Sequence, residues 1–105
     1  MNMSKKAARA LSIIRRCVAD GRFVVLPHFV HRMDQRGLVW SDLLAVVDNP
    51  DRIHDEGYDR FDRAKWVMSG TAADGLPVEI VCVLDKDEHG SITVFITLYW
   101  GRIQK

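Results

Sequence analysis

The chain has 105 residues, 48% of them hydrophobic and 28% charged, with a formal net charge of +1. That length fits one domain with a real core and one principal site, and the composition excludes wholesale disorder. No apolar run approaches the roughly 18 residues of a membrane-spanning helix.

The small net charge conceals an asymmetry. Residues 1–40 carry eight Lys or Arg against Asp20 and Asp34, whereas residues 41–105 carry seven against twelve acids. Two readings stand side by side: a basic patch that attracts a polyanion such as RNA, or two lobes that neutralise each other on folding. The basic start lacks the apolar stretch and small-residue cleavage site of a signal peptide. Cys17 and Cys82 are too few for a disulfide framework and lack metal-ligand spacing. They are expected to be buried small hydrophobes in a protein of the reducing cytoplasm.

Ser4 predicts the cap of a helix over Lys5 to Ala19, with Ala7, Ala10, Leu11, Ile14 and Val18 on an apolar stripe and Asp20-Gly21 ending it. Its outward Lys5, Lys6, Arg9, Arg15 and Arg16 read as solvated charges, or as nucleic-acid contacts. Phe23 to Leu26 is a brief strand or an extended lead-in to Pro27. Pro27 and Gly37 then bound a second helix, Pro-His-Phe-Val-His-Arg-Met-Asp-Gln-Arg-Gly. At about 100° per residue, Phe29, Val30 and Met33 fall in one arc, and His28, His31, Arg32, Gln35 and Arg36 in the other. Leu38 to Trp40 lead to a third helix, for which Ser41 is the expected cap. Asp42 sits at its positive end, Leu43, Leu44, Val46 and Val47 bury it, and Asp48-Asn49-Pro50 closes it.

From Arg63 the period changes to alternation. A short strand is expected around Arg52 to Asp55, followed by apolar rows Ala64, Trp66, Met68 and then Leu76, Val78, Ile80, Cys82, Leu84, with turns at Ala73-Asp74-Gly75 and Asp85 to Gly90. In the last strand Ile92, Val94, Ile96, Leu98 and Trp100 are expected on one face, and Thr93, Phe95, Thr97 and Tyr99 on the other. Helices first and strands afterwards predict an α+β domain over 1–105, its N-terminal helices packed on a three- to four-stranded antiparallel sheet.

Three constellations carry chemistry. His28, Arg32 and Arg36, spaced i, i+4, i+8, set an imidazole beside two guanidiniums suited to phosphate oxygens. The competing reading is a solvated face paired with acids from the other half. His28 and His31 can share a metal, with His54 or an Asp as a third ligand, but Arg32 opposes a cation and no recognised motif is completed; no metal and no cofactor is the expectation. Thr93, Thr97 and Tyr99, with Lys65 across the sheet, form a polar row that can contact a phosphate or stack a base, or that is simply the solvent face of an antiparallel sheet. There is no Gly-rich phosphate loop, nucleophile elbow or Cys-His pair. Trp40, Trp66 and Trp100 read as core or partly buried packing.

The run Leu26-Pro27-His28, Arg32-Met33 and Arg36-Gly37-Leu38, followed by a short helix and Asn49-Pro50-Asp51-Arg52-Ile53, resembles the opening of the bacterial domain-of-unknown-function family numbered 4258. The ending Ile92 to Tyr99 is similar to that family's last strand. The resemblance covers about residues 24 to 100 and leaves the first helix, residues 1–22, largely outside. It implies a small α+β domain related to the RelE and barnase group of toxin ribonucleases. His28, Arg32 and Arg36 occupy the family's motif positions, and Thr97 and Tyr99 its final strand, while His31 takes no role. The resulting expectation is a metal-independent endoribonuclease, the toxin of a toxin–antitoxin pair, acting on RNA in the cytoplasm with a cognate antitoxin as partner and no membrane. Its site would comprise His28, Arg32, Arg36, Thr97 and Tyr99, with Lys65 and Thr93 binding substrate. The alternative is a non-catalytic RNA- or protein-binding module.

Overall fold

A computed structural model describes residues 3–100, so the two ends of the domain expected over 1–105 lie outside the described residues. The elements are α1 (Lys5–Ala19), β1 (Phe23–Val25), α2 (Pro27–Arg36), α3 (Trp40–Asp48), β2 (Arg52–Tyr58), β3 (Ala64–Thr71), β4 (Pro77–Asp87) and β5 (Gly90–Trp100).

Local chemistry fixes the helix ends. The Ser4 hydroxyl accepts the Ala7 N–H at 3.0 Å, satisfying one of the free donors at the start of α1. Ala7, Ala10, Leu11, Ile14 and Cys17 form the buried stripe of this helix, and Val18 is only half-buried beside it. Helix α2 begins on Pro27 and stops on Gly37, whose φ of 74° is the left-handed conformation that glycine adopts without a Cβ clash. Ser41 is not the cap of α3. The cap lies two residues earlier, at Val39, so that the helix starts at Trp40, and Asp42 reaches back to accept the Val39 N–H at 2.8 Å. The carboxylate takes the position at the positive end that the hydroxyl was expected to serve.

The sheet has five strands in the order β1-β5-β4-β3-β2, and it is mixed, not purely antiparallel. β2, β3, β4 and β5 form an antiparallel meander, while the apolar run after α1 becomes β1 and pairs in parallel with β5, Phe23 opposite Thr93 and Val25 opposite Phe95. The helices cover one face. There Phe29, Leu43, Val46 and Ile14 meet Trp66, Met68, Val78, Ile80, Cys82, Phe95 and Leu98 in one core. Phe23, Trp40, Phe29 and Phe95 meet as an aromatic cluster, with Phe23 and Trp40 stacked at 5.0 Å.

β5 does not alternate uniformly as its sequence implies. Cys82 pairs with Phe95, but the next β4 residue towards the N-terminus, Val81, pairs with Thr97, so Ile96 is an extra residue in a β-bulge. Thr93 and Phe95 therefore face the helices. Thr97 and Tyr99, two and four residues further on, face the open side of the sheet with their partners Val81 and Glu79.

The β2–β3 turn is held by a charged cluster in which Arg63 lies 2.8 Å from Asp59 and 3.1 Å from Asp85. Burial pushes the Asp59 carboxyl up, but hydrogen bonds from the Arg63 side chain and from the Arg63 and Phe61 N–H groups outweigh it and hold that carboxyl below its ordinary value. Asp85 is lowered first by the Lys86 N–H and then by Arg63.

Two outcomes follow for stability. Phe29→Ala removes a fully buried ring from the join between α2 and β5, and is expected to cost about 3–5 kcal/mol in urea unfolding, against under about 0.5 kcal/mol for the exposed His31→Ala. Carboxyls lowered in the folded state contribute stability above their ordinary value of 3.8 and lose it as pH falls through the lowered one. Arg63→Gln should therefore unfold at lower urea than the parent at about pH 7, and the difference should close towards about pH 2.

Candidate functional site

The site is built where β1 ends and α2 begins. Pro27 has no N–H and fixes its own φ, so the strand stops there; the preceding Leu26 N–H makes the last sheet bond, to the Phe95 carbonyl at 3.0 Å. β1 pairs only with Thr93 to Phe95, and α2 packs along β5. Phe29 anchors it, with its ring 5.6 Å from that of Phe95. The polar stripe of α2 is thereby turned against the end of β5. The Arg32 guanidinium lies 5.7 Å from the Tyr99 ring and 5.9 Å from that of Trp100, and Arg36 lies 5.9 Å from Trp100. These are cation–π distances.

The two arginines differ in their remaining contacts. Arg36 donates to the Pro77 carbonyl at 2.8 Å and lies 3.5 Å from Asp74, with its side chain 3% exposed. It clamps α2 to the β3–β4 turn and has little surface to offer a ligand. Arg32 is half-buried, its Nε has no partner, and its guanidinium is engaged only by the aromatic faces among the described residues. His28, one turn before Arg32, is exposed, as is His31.

The open face of the sheet forms a trough of about 1200 Å³. Lys65, Thr97, Tyr99 and Trp100 line it, as do Arg52, His54 and Glu79. Register arranges these side chains in rows. Arg52, Ser69, Glu79 and Tyr99 lie on successive strands in one row, and His54, Val67, Val81 and Thr97 in the next. At about 4.8 Å between strands, each row spans roughly 14 Å. Ser69 donates to Glu79 at 3.3 Å, and His54 Nε2 lies 3.0 Å from Glu56. The Thr97 hydroxyl is buried and has no hydrogen-bond partner among the described residues. Tyr99 and Trp100, each nearly half exposed at 46% and 45%, join the trough to Arg32.

Of the residues singled out in the sequence, Lys65, Thr97 and Tyr99 share the trough, and Arg32 meets its rim. Arg36 is adjacent but committed to Pro77 and Asp74, and His28 stands at the outer end of the stripe. Thr93 is not with them: it is fully buried on the helix-facing side, on the far side of the bulge. Arg52, Glu79 and Trp100 belong to the site and were not predicted. Strict alternation from Ile53 and from Val78-Ile80 would have found Arg52 and Glu79, since both occupy the polar phase of a strand. Trp100 carries no such signal, because its face depends on the bulge.

Among the described residues, no three His, Cys, Asp or Glu side chains are grouped closely enough to hold a metal ion. Cys17 and Cys82 are buried, and burial, with a smaller contribution from Cys17, pushes the Cys82 thiol up to about 12. No helix among the described residues is long and apolar enough to cross a membrane.

Fold and site together define an α+β domain with a mixed sheet whose open face meets a cationic, aromatic corner. The family model described as Domain of unknown function (DUF4258) matches residues 25–100, and the chain belongs to that family. The match begins in β1, so α1 lies outside it. No match is found among curated proteins or among solved structures.

The contrast between the arginines is measurable. Arg36→Ala strips a buried donor from the Pro77 carbonyl and should cost about 1–3 kcal/mol in urea unfolding. Arg32→Ala, which breaks no hydrogen bond among the described residues, should cost less than half of that.

Proposed function

We propose that the protein is a metal-independent endoribonuclease of the RelE and barnase kind, the toxin of a toxin–antitoxin pair. The observation that carries this reading is the meeting of Arg32 with Tyr99 at the rim of the trough. A guanidinium of α2 with no carboxylate partner among the described residues meets a half-exposed tyrosine of β5, and a phosphodiester site uses such a cation with a neutral donor beside it.

In the proposed reaction the ribose 2′-oxygen loses its proton and attacks the adjacent phosphorus. The bond from phosphorus to the 5′-oxygen breaks, and the leaving oxygen gains a proton. The products are a 2′,3′-cyclic phosphate and a free 5′-hydroxyl. His28 exchanges one of these protons, at the 2′-oxygen or at the leaving 5′-oxygen, and solvent exchanges the other. Arg32 faces the charge that gathers on the phosphorane, with the exposed Tyr99 phenol as a neutral donor, while the Thr97 hydroxyl is buried and out of reach of RNA. Lys65 and Arg52 offset Asp51, Glu56 and Glu79 in the trough and can each contact a phosphate there, while Arg32 at the rim supplies the attraction for the strand. Arg36 positions α2 and makes no contact with RNA. Thr93 has no part in the reaction.

The experiment is incubation of the purified protein with mixed RNA in excess chelator. Cleavage leaving cyclic phosphate ends is expected, with Arg32→Ala and His28→Ala each lowering the rate by roughly a hundred- to ten-thousand-fold. Retention of cleavage by both variants would overturn the assignment. As a toxin, the protein acts in the cytoplasm and its expression should arrest growth until a neighbouring gene supplies the antitoxin.

A second reading, an RNA-binding module without turnover, is favoured by one observation. Tyr99 and Trp100 present half-exposed rings backed by guanidiniums, an arrangement that stacks bases without chemistry. It predicts binding that weakens steeply with salt and leaves RNA intact.

A further inference from the structure

The basic first third of the chain separates, on folding, into cations with partners and cations without. Lys6 pairs with Asp55 at 2.8 Å, Arg22 with Asp87, and Arg36 with Asp74 at 3.5 Å. Arg15 donates to the Val47 and Asp48 carbonyls at 3.0 and 2.6 Å, tying α1 to the end of α3. Arg9 and Arg16 make no such contact among the described residues, and both are exposed on α1.

These two side chains line a hollow of about 470 Å³ between α1 and the β4–β5 hairpin. Arg22, Ser12, Ser91 and His89 line it with them, and Asp20 is the single carboxylate in the lining. The hollow is well away from the trough: Ser91 and Tyr99 lie at opposite ends of β5, about 25 Å apart at about 3.4 Å per residue.

Its walls differ in how they are held. Arg22 is fixed, donating through Nε to the Ser91 carbonyl at 3.1 Å and pairing with Asp87 on the hairpin. Arg9 and Arg16 are two helical turns apart, about 10 Å of rise, with Ser12 between them on the same side. Two long guanidinium side chains at that separation can close on one small anion, and the Ser12 and Ser91 hydroxyls can donate to it. The chain has 14 acidic residues, yet of these only Asp20 faces this concavity. Arg22 is already neutralised by Asp87, but Arg9 and Arg16 have no carboxylate partner among the described residues, and an anion held between them relieves their mutual repulsion.

We propose that this hollow is a phosphate-binding site, separate from the trough, that takes the phosphate group of a nucleotide or of an RNA strand. A guanidinium matches a phosphate with paired donors, which a lysine cannot do, and the hollow presents three arginines and no lysine. The assignment does not rest on RNA cleavage and survives if the protein has no nuclease activity.

The test is a ¹⁵N NMR titration of the intact protein with inorganic phosphate, adenosine monophosphate and a short uncleavable 2′-O-methyl oligonucleotide. All three are expected to shift the amides of Ser12 to Cys17 and of Gly90 and Ser91. R9Q/R16Q should weaken binding at least about tenfold, while Lys86→Gln, a charge change on the same hairpin outside the lining, should leave it unchanged. An oligonucleotide that binds more tightly than the mononucleotide and also shifts Thr97 to Tyr99 identifies RNA as the source of the phosphate; equal binding identifies a small organic phosphate. Absence of shifts at the hollow with every probe, or parental affinity in R9Q/R16Q, would overturn the proposal. The mapping on the parent protein decides even if the double variant fails to fold.

Discussion

The architecture depends on the shortness of β1. Had the strand continued, it would have paired with β5 along its whole length and left α2 no strand edge to cover. Pro27 prevents this by removing the next donor and fixing the local φ, so parallel pairing stops at Val25 and Leu26 makes the last bond to Phe95. A helix then covers what would be an unprotected strand edge. The same junction sets the orientation of α2, because Phe29 must enter the core beside Phe95 and the polar stripe follows from the helical period.

The bulge at Ile96 is the second half of this arrangement. It falls where β1 ceases to pair, at the point where β5 passes from a central strand to one flanked by a helix. The extra residue inverts which phase of the strand faces the helices. Thr93 and Phe95 point into the core, whereas Thr97 and Tyr99 point to the open face. Without it, Tyr99 would be directed beneath α2 and Leu98 onto the trough. One inserted residue thus converts a buried strand end into the wall of a site.

Much of this was legible in the chain. Ser4, Pro27 and Gly37 mark helix ends by mechanisms that act within a few residues, and they mark them correctly. The cap of α3 lies two residues before Ser41 because Asp42 and Ser41 compete for the same role, and a carboxylate at the positive end of a helix is the stronger acceptor. Phe23 to Leu26 was open as a brief strand or an extended lead-in, but its place in the sheet and its parallel sense were not legible, since Phe23 to Val25 pairs with residues some seventy positions away and no local pattern records that. Nor was the bulge, because Ile92 to Trp100 is apolar or hydroxyl-bearing in both phases and gives no penalty to a slip. The site inherits both limits. The stripe of α2 was visible, its approach to Tyr99 was anticipated, but the commitment of Arg36 to Pro77 and the rows of Arg52 and Glu79 depend on pairing across the sheet.

The charge asymmetry takes on a definite meaning in the folded chain. Neutralisation between the two halves does occur, but selectively: the acids of the second half are placed against Lys6, Arg22 and Arg36, each at a junction between elements. The Lys6 pair is largely exposed and such a pair contributes little to stability on its own, while Arg36 is buried in its pair. The larger effect of these pairs is to decide which cations remain available. Arg32 remains at one end of β5 and Arg9 with Arg16 at the other, so a chain of nearly zero net charge carries two separated cationic patches joined by a single strand. Net charge alone gives no indication of either patch, because it sums over pairs that neutralise each other elsewhere on the surface.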